Sequence, residues 1–111
     1  MTSVSESVNL LLWKAIEERR LIRFQYKEKE RIAEPHDYGI QNGCARLFVY
    51  QVAGASSHKL PAWRLMDEDQ ISGIQLLEKR FSGGRPTAYG KHLKWDKLFI
   101  RVKPAEKSYK A

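Results

Sequence analysis

Apolar residues recur at helical spacing through the first twenty positions and then switch to alternation. Val8, Leu11, Leu12, Ala15 and Ile16 fall on one stripe, which predicts a helix over residues 1–20. Ser3 and Glu6 have the spacing of a capping box, and Glu17, Glu18, Arg19 and Arg20 near its end face water. A helix of this length is marginal alone in water, so its stripe must dock on something. From Leu21 to Tyr26 the period becomes two: Ile22, Phe24 and Tyr26 lie on one face, and Leu21, Arg23 and Gln25 on the other.

Lys27 to Glu30 reads as a charged turn and Arg31 to Glu34 as a return strand, with Pro35 limiting how far it pairs. Tyr38-Gly39 and Asn42-Gly43 are turn signals. Arg46 to Val52 has the pattern of a central strand, and Gly54 to His58 of a loop. Leu60 to Met66 is a further strand, its Pro61 favouring an edge or bulge. Asp67 to Gln70 is an acidic connection, and Ile71 to Leu77 a last barrel strand that Gly73 interrupts as a bulge. Ser82 to Pro86 is a hinge. Trp95 to Val102 fits a short helix or, better, a strand added to the sheet, and Pro104 to Ala111 reads as a frayed tail. The expected fold is α+β and mainly β: an N-terminal helix packed on a small antiparallel barrel over residues 1–81, then a C-terminal extension over 82–111.

Composition narrows the class. The 111 residues, 42% hydrophobic and 30% charged, describe one soluble domain with a modest core. No apolar run approaches the roughly 18 residues that span a bilayer. No secretory signal is visible, and the one cysteine, Cys44, fits a reducing cytoplasm. The charge of +7 is uneven: residues 79–111 carry ten Lys and Arg against Asp96 and Glu106, whereas 1–78 are nearly balanced. This basic extension reads either as a solvated tail or as a patch that attracts phosphates.

Several features stand in a telling order: the helix ending Ala15-Ile16-Glu17, the strand Ile22-Arg23-Phe24-Gln25-Tyr26, the step Glu34-Pro35, the strand ending Tyr50-Gln51, and Arg64 seven residues before Ile71. Together they resemble a WYL domain, a bacterial barrel of the Sm/SH3-like kind usually found in transcription regulators. The resemblance covers about residues 9–81 and implies a ligand-sensing or nucleic-acid-binding module without catalytic chemistry. Arg46-Leu47-Phe48 stands where the family has Trp-Tyr-Leu, which is closer to short, stand-alone WYL-like proteins. Where the family commonly repeats a basic residue, this chain has Asp67, Glu68 and Asp69. Those carboxylates would repel phosphate unless they face away or pair with Arg64 or Arg80.

The candidate ligand site is Tyr38, Arg46, Tyr50, Trp63 and Arg64. Arginine offers a planar fork to oxyanions and the rings offer stacking faces; the resemblance places ligand contacts around Arg64. Tyr50 and Trp63 read equally well as core or rim packing, and His36 better as a structural hydrogen-bonding residue. Arg80, Arg85, Tyr89 and Lys91 form a second, nucleic-acid-binding candidate, with aromatic residues among cations as single strands require. Five such cations on a single strand predict a salt slope of roughly −3.5. No metal-ligand pair, phosphate loop or nucleophile elbow appears, so neither metal nor cofactor nor enzymatic chemistry is expected. The expected partners are single-stranded nucleic acid or a nucleotide ligand, or, alternatively, a protein or a second copy joined at strand edges, and no membrane.

Overall fold

Helix α1 (Val4–Glu18) opens the chain in a computed structural model that describes residues 4–56, 59–85 and 94–104, with helix side chains from Val8 onward. Val8, Leu12, Ala15 and Ile16 of the predicted stripe are buried and Leu11 only partly so, while Trp13, Lys14 and Glu17 are exposed. Arg19 then adopts a left-handed φ of 56°, and its N–H donates to the Ile16 carbonyl at 3.3 Å. A left-handed residue after the last turn ends a helix and redirects the chain, here into β1 (Arg20–Tyr26).

Lys27 and Glu28, at φ 52° and 65°, join β1 to β2 (Lys29–Gln41). A two-residue loop of this hand matches the strand twist and fixes the register Tyr26↔Lys29, Phe24↔Arg31 and Ile22↔Ala33. Residues paired across two strands share a face. Arg31 therefore lies on the side of Ile22 and Phe24, which are buried beneath the helix stripe.

The remaining elements are β3 (Cys44–Gly54), β4 (Ala62–Asp67), a 3₁₀ turn (Glu68–Gln70), β5 (Ile71–Arg80) and β6 (Lys97–Arg101). All ladders are antiparallel, in the order β4-β3-β2-β1-β5, with β6 also beside β2. Five strands laid flat would hold their outer edges about 19 Å apart, at about 4.8 Å per step. The three residues of the 3₁₀ turn, rising about 2 Å each, cannot span that. The sheet therefore curls until β4 and β5 approach at that end, where the Asp67 N–H donates to Tyr26 Oη at 3.1 Å. No ladder joins β4 to β5 among the described residues, so the curl stays open.

Two sequence expectations are corrected. Pro35 does not end β2, and Tyr38-Gly39 is no turn; the strand runs unbroken to Gln41. Pro35 sits where the register to β3 slips, after the last β1 partner at Ala33 and before the first β6 partner at Asp37. Its missing N–H thus removes little from any ladder. Gly39 is needed for a different reason: a Cβ there would lie 2.4 Å from the Lys97 carbonyl oxygen. As expected, Trp95 to Val102 supplies an added strand, and Gly73, at φ 60°, lies within a register shift of β5 against β1.

Candidate functional site

Strand parity sorts the candidates onto two faces. On the convex face Arg46, Phe48 and Tyr50 of β3 pair with Asp67, Leu65 and Trp63 of β4. The Trp63 ring centre lies 4.8 Å from Phe48, 5.0 Å from Tyr50 and 4.8 Å, edge-on, from His36. His36 also stacks on buried Phe81 at 5.4 Å. Buried Glu34 accepts two hydrogen bonds from Arg85, Nε to Oε1 at 2.6 Å and Nη2 to Oε2 at 2.9 Å. That bond raises the Arg85 pKa further, and the guanidinium lies 4.5 Å over the Tyr50 ring. The Arg85 N–H donates to His36 Nε2 at 3.2 Å. The ring proton is thereby assigned to Nδ1, which donates to the Glu34 carbonyl at 2.9 Å. Burial lowers the His36 pKa, so the ring is neutral.

Two other arginines, Arg46 and Arg101, also meet carboxylates. Arg46 Nε lies 2.9 Å from Asp67 Oδ1, an ionic contact too oblique for a hydrogen bond, and its Nη1 donates to Gln41 Oε1 at 3.0 Å. Arg101 grips buried Asp37 at 3.0 and 3.2 Å. Arg80 is exposed, opposite Arg20 at the end of β5. Tyr89 and Lys91 lie outside the described residues. Tyr38 is buried in the core, where its hydroxyl donates to Glu68 Oε1 and accepts from Asn9 Nδ2, both at 2.7 Å. Burial, then the Glu68 bond, raises its pKa. Tyr38 thus has neither ring nor hydroxyl to offer a ligand. The acidic run is resolved residue by residue: Asp67 meets Arg46, Glu68 turns inward to Tyr38, and Asp69 faces solvent.

Arg64 follows Trp63 and so points to the opposite, concave side, with its ladder partner Val49. There Gln51, which Arg31 contacts, pairs with Ala62, two residues before Arg64 on the same side of β4, and the Arg64 charge, after burial, lowers the Arg31 pKa. Arg31 is buried, its guanidinium 5.5 Å from the Tyr26 ring centre. Its Nη1 and Nη2 reach Gln51 Oε1 and the Tyr26 carbonyl only at 3.5 Å, and its Nε has no partner. Gln51 is fixed by its own Nε2, which donates to the Ala53 and Ala55 carbonyls at 3.1 and 2.8 Å. Arg64 Nη1 contacts Ser56 Oγ at 3.4 Å. No carboxylate pairs with Arg31 or Arg64 among the described residues.

No family model, curated protein or solved structure matches this chain. The candidate site accordingly rests on its own geometry. Two guanidiniums without counter-charge, at least one buried, can hold an anion by charge-assisted hydrogen bonds. The predicted quintet does not converge: Tyr50 and Trp63 share the convex face with Arg46, Arg64 lies behind them, and Tyr38 is in the core. Arg31 escaped the sequence reading. Its signal was the hairpin register, which puts it opposite inward-facing Phe24.

Proposed function

We propose that this chain is a WYL-like ligand-sensing module that holds an anionic, nucleotide-containing ligand on its concave face and breaks no bond. The single observation that carries the reading is Arg31, a residue only 6% exposed and without a carboxylate beside its guanidinium among the described residues. Burying an uncompensated charge costs several kcal/mol. An arriving anion offsets that cost, whereas an apolar residue would serve a purely structural position better. Arg64, the position at which the WYL resemblance implies ligand contact, adds the second cation. The curl imposed by the three-residue link supports the finer reading of the fold as a small Sm/SH3-like barrel. A role in bacterial transcription regulation, in the cytoplasm and through a partner, belongs to the same proposal.

The test is equilibrium binding of a fluorescent nucleotide at low salt. Arg64→Ala should weaken binding about ten- to a hundredfold, the loss of charge-assisted hydrogen bonds worth roughly 1.5–3 kcal/mol. Trp63→Ala, on the other face, should leave it within about twofold. An affinity indifferent to Arg64 would sink the reading. The convex face favours one rival, protein docking: its charges are paired internally, and Leu65 is 37% exposed beside Phe48 and Trp63. A chain that ignores nucleotides yet dimerises in light scattering would support that rival.

A further inference from the structure

Resting on the anion-binding reading and deepening it, we infer that the concave seat takes one terminal phosphate group of a small molecule, not the backbone of a nucleic-acid strand. Charge is the first reason. A phosphate monoester carries about −1.5 to −2 near neutral pH, which balances the guanidiniums of Arg31 and Arg64. Donor directions are the second. Gln51, fixed by the Ala53 and Ala55 carbonyls, keeps its amide oxygen on Arg31 and so orients that fork. Arg64 reaches in from β4, two strands away across the curl. Donors arriving from separate planes suit a tetrahedral oxyanion better than a flat carboxylate. The free Arg31 Nε–H, inside the protein, marks where one of its oxygens is received.

The third reason is placement. A protein that tracks a single strand combines a row of cations with rings for the bases on the same surface. Here the half-buried rings of the proposed site, Tyr50 and Trp63, occupy the convex face while Arg31 and Arg64 occupy the concave one. Arg46, Arg85 and Arg101, the cations best placed to extend a track, are already engaged by Asp67, Glu34 and Asp37. A strand would find its phosphate and base contacts on opposite sides of the sheet.

The experiment is thermal unfolding in inorganic phosphate against chloride at matched ionic strength, on the wild type, Arg31→Met and Arg64→Met. A nucleoside monophosphate and an unphosphorylated single strand are titrated in parallel. The wild type should gain melting temperature in a saturable way with phosphate. Arg31→Met should melt higher than the wild type without ligand, because a buried charge is gone, and should lose the saturable gain. Arg64→Met, anchored by one long contact to Ser56, keeps its fold and provides the comparison should Arg31→Met unfold; it too should lose at least nine-tenths of the affinity. The nucleoside monophosphate should compete with phosphate, and its affinity should fall only gently with salt, through screening alone, because a small anion has no condensed counterions to release. A single strand bound with a slope near roughly −3.5, indifferent to phosphate but weakened by Arg64→Met, would overturn this inference and leave anion binding intact. No saturable response to any of the three anions would end both. A phosphate response unchanged in Arg31→Met and Arg64→Met would place the anion elsewhere and overturn the inference.

Discussion

His36 shows how far one side chain can be committed. Its two nitrogens are used by the Glu34 carbonyl and the Arg85 N–H, and its faces by Phe81 and Trp63. With the folded pKa below the ordinary 6.5, the unfolded chain takes up the proton first as pH falls. Stability is therefore full above about 6.5 and declines below it, until the folded ring also protonates and gives up the Arg85 bond. Urea midpoints at pH 7.5, 6.5 and 5.5 should step downward, and His36→Asn should flatten that profile; equal profiles in the two proteins would refute the assignment. His36 was legible as a structural hydrogen-bonding residue, but not its partners, because Glu34 and Arg85 reach it only in the folded sheet. The error of parity was avoidable. Trp63 and Arg64 are neighbours in a strand and cannot serve one face, whatever their chemistry suggests together.

At the scale of elements, periodicity located the helix and every strand, yet it misjudged the length of β2. Proline and glycine signal turns through local backbone preference, whereas Pro35 and Gly39 answer to their neighbours. Pro35 lies in the gap between two partner strands, and Gly39 makes room for a backbone arriving from nearly sixty residues later. Gly39→Ala should push β6 off β2, because the added methyl meets the fixed Lys97 carbonyl and the Leu98 Cα rather than a movable side chain. The expected cost is about 1–3 kcal/mol, with hydrogen exchange accelerated selectively at Leu98 to Val102. Unchanged protection there would mean that β6 adjusts freely. The pairing of Arg101 with Asp37 and of Arg85 with Glu34 was not legible, since side chains more than fifty residues apart meet only once β6 and the segment before it are placed.

For the molecule as a whole, charge is distributed differently in the fold than along the sequence. The +7 excess belongs to the extension, but Arg85 and Arg101 neutralise buried carboxylates of β2 instead of joining an open patch. The lysines around them leave a general self-repulsion, which salt relieves, while pairs formed by the buried Glu34 and Asp37 are screened little. The urea midpoint should therefore rise between low salt and about 0.15 M NaCl. A fall would show that exposed ion pairs such as Arg46–Asp67 outweigh the repulsion.

β2 also has a consequence for the order of assembly. One of its edges is completed by β1 over the first half and by β6 over the second. During synthesis, β1 emerges beforehand and zips at once, but the stretch from Asp37 to Ile40 must wait for the ribosome to deliver Lys97 to Arg101. Until then the nascent protein displays half a strand whose amides and carbonyls on that side have no mate. Any crowding of polysomes on the messenger would bring such unfinished borders side by side, where they can adhere to one another.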